Sequence, residues 1–413
     1  MSAVRTRAGA RTRPTRHRKR RSTTVNRSET VARALREAAP HRLVAVLRDA
    51  LAEHYGAVSV EVLLADYGLE VLCRVTEPFG ECGEEFSVFN SIVGRVFGAQ
   101  ATFVEDDLAS GTEVVHLPVS ARGDRLGVLV VGVKAGTSSE ETIVDLEHVA
   151  TAFGHELLVA ERDTDVYRSL RRRDRLTLAA EVQWDLLPGR AYECPEYSIG
   201  AHLEPAYAIR GDNFDWSAEP DRLHLGITNG MGEGIEASLL TGLAVNALRN
   251  ARRGGVSLAD QVALADKAVY AQYRGERYLD VLMLDFDLET GEVEVVDAGS
   301  PRLYLLRDDR VSQLPFEPQL PVGMAEDSVY TTQNLKVEPG DRLVFASDGV
   351  FDAPGEAEES FGDRALAKAI LATRLLPSVS VPQEVLRHLT AYQGGREAVD
   401  DALVLCLDWR GRS

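Results

Sequence analysis

The chain has 413 residues, of which 46 are Lys or Arg and 64 are Asp or Glu, for a formal net charge of −18 at neutral pH. Its length exceeds the ~100–200 residues usual for one domain, and its 45% hydrophobic content can fill ordinary cores, so two globular domains with connectors are expected. An acidic body is poorly suited to a nucleic-acid backbone, and no apolar run approaches the ~20 residues of a membrane-spanning helix, so the expected compartment is the cytoplasm.

Residues 1–22 hold nine of the basic residues and none of the acidic ones, and no apolar segment follows that would make a secretory signal. Residues 1–30 as a whole are too polar to supply a core and are expected to be disordered; nucleic acid or anionic lipid would meet the chain only through this arm. Leu43, Val44, Val46, Leu47 and Leu51 then have helical spacing, and strands are expected at 58–64, 69–74, 113–119 and 126–133. Arg122-Gly123-Asp124 reads as a hairpin turn. A helix begins behind Thr137, Ser138 and Ser139 and carries Ile143, Val144, Leu146, Val149 and Phe153. Leu117-Pro118-Val119 before the hairpin turn and Leu126-Gly127-Val128-Leu129 after it, in a helix, strands, hairpin, helix order over residues 38–160, resemble a GAF sensor domain. The resemblance implies a small-molecule pocket on one sheet face, whose ligand no residue identifies. Cys73, Cys82, Cys194 and Cys406 have neither C-x-x-C nor zinc-ligand spacing and are expected to be reduced, packed thiols.

Residues 156–187 contain no Gly or Pro until Pro188-Gly189, and a helical linker is expected over 161–189. Its apolar stripe of Val166, Leu170, Leu176, Leu178, Ala179, Val182 and Leu186 is interrupted by charges at 171–175. Paired with a second copy, such a helix would form a short coiled coil and a homodimer; alone, it would lie on the domain that follows. The run Ala179-Ala180-Glu181-Val182-Gln183-Trp184-Asp185-Leu186-Leu187-Pro188 resembles the linker that precedes SpoIIE-like phosphatase domains.

Beyond Tyr197, strands are expected at 223–228, 278–288, 292–297, 302–306, 341–346 and 402–407, and helices at 236–251, 258–273, 363–373 and 383–392. Hairpins with helices between them point to two sheets packed face to face and covered by helices. Asp212, Asp348 and Asp400-Asp401 fall near strand ends. One Asp there is commonly only a turn former, but several converging carboxylates would suit a hard divalent cation.

Arg210-Gly211-Asp212 with Asp215-Trp216, and Asn229-Gly230-Met231-Gly232-Glu233-Gly234 with Ala237-Ser238-Leu239-Leu240, resemble the paired motifs of PPM-type phosphatases. Asp297-Ala298-Gly299-Ser300-Pro301, Glu338-Pro339-Gly340-Asp341, Ser347-Asp348-Gly349-Val350 and Asp400-Asp401-Ala402 continue the series in the family's order. The fold class expected is therefore α+β, a GAF-like sensor domain joined by the helical linker to a PPM αββα sandwich over residues 190–410. The resemblance implies a Mn²⁺- or Mg²⁺-dependent serine/threonine protein phosphatase with two metals. Asp348 and Asp400 would hold one, the Gly230 carbonyl would contribute to the second, and Asp212 would orient the attacking water. The implied substrate is a phosphoprotein, in SpoIIE-like members often a phosphorylated STAS-type anti-anti-sigma factor.

The chain departs from that pattern at Asn229, where the family places the aspartate that bridges both metals. A neutral amide has one acceptor oxygen and an NH₂ donor, so it cannot neutralise two cations. Asp215 and Asp401 are carboxylates that could compensate. Ser300 stands where a His is common, and Arg210 where a Gly is. Two outcomes remain open, a phosphatase with a weakened metal site and a pseudophosphatase that binds a partner without turnover. No G-x-S-x-G elbow or phosphate-binding G-x-x-x-x-G-K-[ST] loop supports another enzyme class.

Overall fold

The computed structural model describes residues 26–76, 82–107, 111–172, 177–204, 210–299, 301–355, 358–394 and 400–412; the basic arm up to residue 25 and Ser300 lie outside them. Helix α1 (Arg27–Glu37) begins inside the stretch expected to lack structure, because Val31 and Leu35, one turn apart, are fully buried in the first core. Then come α2 (Leu43–Tyr55), β1 (Ser59–Ala65), β2 (Val71–Val75), β3 (Cys82–Ser87), α3 (Ile92–Ala99), β4 (Phe103–Asp107), β5 (Thr112–Ala121), β6 (Asp124–Lys134) and α4 (Glu140–Ala160). The six strands form one antiparallel sheet in the order β3-β2-β1-β6-β5-β4. Val62, Leu64, Val115, Leu117, Leu129 and Val131 point to the face covered by α1, α2 and α4, while Leu63, Ala65, Leu72 and Val128 point to α3, the period-2 alternation of a sheet covered on both faces.

Cys73 and Cys82 are joined by a disulfide between β2 and β3, which corrects the expectation of four reduced thiols; Cys194 and Cys406 are free. The spacing alone carried no such signal. What brings the two together is the β2–β3 pairing, in which Val75 lies opposite Cys82 and Cys73 opposite Glu85.

The linker is not one helix. Past Ala160 the chain turns into α5 (Val166–Leu170) and, after residues 173–176, which lie outside the description, α6 (Leu178–Leu186). Folding back lets Tyr167 and Leu170 bury in the first core. Arg171, the first of the charges that interrupted the apolar stripe, is itself buried; its Nε donates to Ala65 O at 3.0 Å and its guanidinium pairs with Glu161 at 3.1 Å. Of the stripe, Leu170 and Ala179 are buried, Val166, Val182 and Leu186 are half-buried and Leu178 is exposed.

The second half comprises β7 (Ala191–Glu193), β8 (Tyr197–Glu204), β9 (Asp212–Ala218), β10 (Arg222–Gly230), α7 (Gly234–Arg253), α8 (Leu258–Tyr273), β11 (Leu279–Asp287), β12 (Glu292–Ala298), β13 (Arg302–Arg307), β14 (Arg310–Leu314), β15 (Gln333–Lys336), β16 (Arg342–Ala346), α9 (Asp348–Phe351), α10 (Ala367–Ala372), α11 (Val381–Gln393) and β17 (Ala402–Trp409). Two antiparallel sheets, β15-β12-β11-β10-β9 and β14-β13-β16-β17-β8-β7, enclose a core of Phe214, Ile227, Leu282, Leu284, Phe345, Leu405 and Trp409. The outer face of the first sheet is covered by α7 and α8, that of the second by α10 and α11. This is the four-layer αββα arrangement expected of residues 190–410.

Candidate active site

Strands β9, β10 and β11 lie side by side, in a register that sets Phe214 opposite Ile227 and Ile227 opposite Leu282, all facing the inter-sheet core. Two residues along each strand, on the same face at the end of the sandwich, the register sets Asp212 opposite Asn229 and Asn229 opposite Asp280. The apolar rows thus give way to a polar row at the mouth between the sheets. From the facing sheet, Asp348 follows the end of β16 and Asp400 precedes the start of β17, and these strands are neighbours paired through Ala346 and Val404. Topology therefore brings Asp212, Asn229, Asp348 and Asp400 to one mouth, although they are scattered over nearly 190 positions of sequence.

Asp212 is 1% exposed, and neither of its carboxylate oxygens has a hydrogen-bond partner in normal geometry. Burial, with Asp401, Asp348 and Asp400 adding like charge, holds its carboxyl well above the usual carboxylate range. The Ser347 hydroxyl lies near enough to ease that charge slightly, but its bonding is spent on the Asp401 carbonyl and the Leu403 amide. Asp400 is pushed up to about 6, first by burial and then by Asp348. Burial likewise raises Asp348, against the Gly349 amide at 2.9 Å and the Asn229 side chain. Asn229 Nδ2 donates to Asp348 Oδ1 at 2.7 Å, so it presents its hydrogens, not its oxygen, to that carboxylate.

Gly230 closes β10, with its amide on the Gly211 carbonyl at 3.2 Å. The Thr241 hydroxyl of α7 donates to the same carbonyl at 2.8 Å, and a Cβ on Gly230 would come within 2.4 Å of that hydroxyl oxygen. A side chain at Gly230 would therefore push α7 off the site.

The two carboxylates named as compensators are engaged elsewhere. Asp215 is opposite Gly226 on the helix-covered face and pairs with Arg249 at 2.8 Å and Arg252 at 2.9 Å. Asp401 is fully buried, and its Oδ2 accepts from the amides of Arg210 (2.9 Å) and Gly211 (3.1 Å) and from Gln183 Nε2 (3.1 Å), an arrangement that anchors the two residues before β9. Gln183, carried in on α6, also donates to the Asp212 carbonyl. Nothing in a linker motif announced that contact. Asp280 was also missed, but the run Leu279-Asp280-Val281-Leu282-Met283-Leu284 held a signal, since alternation assigns Asp280 to the inward face.

The donors at this mouth are oxygens, as Mn²⁺ and Mg²⁺ require, and the two unpartnered oxygens of buried Asp212 beside raised Asp348 and Asp400 are what a missing countercharge leaves behind. The residues fit one hard cation on Asp348 and Asp400; at Asn229 they do not fit a bridge between two. Among the described residues no three His, Cys, Asp or Glu side chains stand close enough to share an ion.

Residues 219–410 match the family described as Stage II sporulation protein E (SpoIIE). The chain is 23% identical over 250 residues to the protein IcfG of Synechocystis sp., covering 52% of this chain and 39% of that one. It is 21% identical over 218 residues to the phosphoserine phosphatase RsbU of Bacillus subtilis, covering 52% and 64%. Each match thus spans less than two thirds of the relative's length. Among solved structures it is similar to the RsbU and RsbW domains of a Mycobacterium tuberculosis protein, at a TM-score of 0.47 and 23% identity over 53% of this chain and 61% of that one.

Proposed function

We propose that the chain, whose residues 219–410 match the SpoIIE family, is a metal-dependent phosphoserine/phosphothreonine protein phosphatase. The carrying observation is the gathering of Asp212, Asp348 and Asp400 at one mouth, with both Asp212 oxygens buried and unpartnered. Asp348 and Asp400 would hold a Mn²⁺ or Mg²⁺, which would supply Lewis acidity toward a phosphate ester. Asp212, whose raised pKa favours a proton on its carboxyl, is the group positioned to take or hold one beside the reacting phosphate. The substrate would be a phosphorylated STAS-type anti-anti-sigma regulator, and the N-terminal domain, as a GAF-like sensor of a small molecule, would gate the output. No helix among the described residues is long and apolar enough to cross a membrane, and the compartment proposed for this activity is the cytoplasm. A homodimer would have to use what the linker leaves outward, such as Leu178, which is 67% exposed.

A second reading is favoured by the amide hydrogen that Asn229 presents to Asp348, namely a pseudophosphatase that binds a phosphoprotein without turnover. Phosphate release from a phosphoserine protein in Mn²⁺ separates the two. The phosphatase reading expects turnover by the wild type and none by Asp348→Ala. Silence of the wild type, with activity appearing only in Asn229→Asp, would establish the second.

A further inference from the structure

Asp280 lies on β11 directly across from Asn229, on the inward face that Leu282, Leu284 and Phe286 otherwise fill with fully buried apolar side chains. A carboxylate in that row breaks the pattern that packs the sandwich. The ladder makes room for it. One step beyond the Val281–Ala298 pair stands Gly299, with φ +136, where a Cβ would overlap the Asp280 carboxylate. A side chain there would thus displace both the backbone and the Asp280 carboxylate.

Asn229 has on one flank Asp212, buried to 1% with two unpartnered oxygens, and on the other Asp280. The central position therefore lacks a carboxylate while its neighbour on the next strand supplies one. Adjacent antiparallel strands bring paired Cα atoms within roughly 5 Å, and the attraction of a carboxylate for a cation depends on distance and dielectric, not on the strand that carries it.

We infer that Asp280 is a cation-binding residue of this site, and that its carboxylate supplies from the neighbouring strand the charge that Asn229 does not carry. The inference rests on the metal-dependent reading above, but it concerns binding and not turnover. Asp215 lies on the helix-covered face with Arg249 and Arg252, and Asp401 accepts from the amides of Arg210 and Gly211.

The test is Mn²⁺ binding to the full chain by titration calorimetry, with thermal melting in EDTA to report folding. Asp280→Asn should weaken Mn²⁺ binding about tenfold or more, the scale seen when a supporting metal-site group is lost, with no loss of melting temperature in EDTA. The double variant Asn229→Asp/Asp280→Asn, which moves the charge back by one strand, should recover it. Wild-type affinity in Asp280→Asn would overturn the inference. So would a wild type that binds no Mn²⁺ until Asn229→Asp is introduced. Should Asp280→Asn fail to fold, the smaller Asp280→Ser decides the matter by the same titration, and wild-type affinity there overturns the inference. Mn²⁺ binding that depends on Asp280 without phosphate release would remove the phosphatase reading and leave this inference standing; turnover with affinity indifferent to Asp280 would do the reverse.

Discussion

Asn229 donates an amide hydrogen to a carboxylate that a cation would otherwise claim, so its effect on the site is twofold. It withholds a negative charge and occupies an oxygen of Asp348. Asn229→Asp should therefore raise Mn²⁺ affinity more than the gain of one charge alone suggests, which calorimetry on the variant and the wild type would read. Asp400 gives the same electrostatics a pH signature. Its folded pKa of about 6 lies above the ~3.9 of a free Asp, so the folded state binds the proton more tightly, and the stability tied to that proton is lost as pH rises through 6. Without metal, the melting temperature should fall between pH 5 and pH 7. Asp400→Asn should flatten that slope, and saturating Mn²⁺ should reverse it by favouring the ionised carboxylate. A metal-free melting temperature that climbs over this interval in the wild type, with the same slope in Asp400→Asn, would contradict the assignment.

Secondary structure and the site differ in how much of each the sequence displays. Helix α8 spans the residues its apolar spacing predicts, and the central strands β10, β11, β12 and β16 fall where alternating or continuous apolar runs place them, because burial on both faces writes a strong pattern. Strand β3 was missed, since Gly83, Glu84 and Glu85 are exposed and show no alternation. The linker misled for the opposite reason: a charged run read as an interruption conceals a buried arginine whose partners, Ala65 and Glu161, are distant or ambiguous in sequence. Within the site, Asp212, Asp348 and Asp400 were legible through their motifs, but the role of Asp401 as an anchor, and of Gln183 as the side chain that joins α6 to it, depends on long-range contacts. Gln183→Ala removes two buried hydrogen bonds and should cost about 1–3 kcal/mol, measurable by urea unfolding; a change within error would mean that α6 does not brace the site.

On the scale of the whole molecule, the N-terminal sheet touches the C-terminal domain through aromatic and guanidinium groups. Arg190 donates to the Tyr67 carbonyl at 2.6 Å, its guanidinium lies 5.1 Å from the Trp184 ring centroid, and Tyr67 meets Trp184 edge-on at 4.5 Å. Burial and the nearby Arg171 charge lower Arg190 to about 10. The β1–β2 turn of the first domain therefore rests on the same short helix whose Gln183 reaches Asp401. Arg190→Ala should loosen that seat, and hydrogen exchange should rise in α6 and in the two residues before β9 while the central strands stay protected. Exchange unchanged in α6 would show that the two domains are not coupled through it.

Initial rates of phosphate release from a phosphoserine protein, followed through a Mn²⁺ titration, test the central claim most directly. The wild type should show a saturable, EDTA-reversible rate that Asp348→Ala abolishes. A wild type silent at every Mn²⁺ concentration, beside an active Asn229→Asp variant, would contradict it.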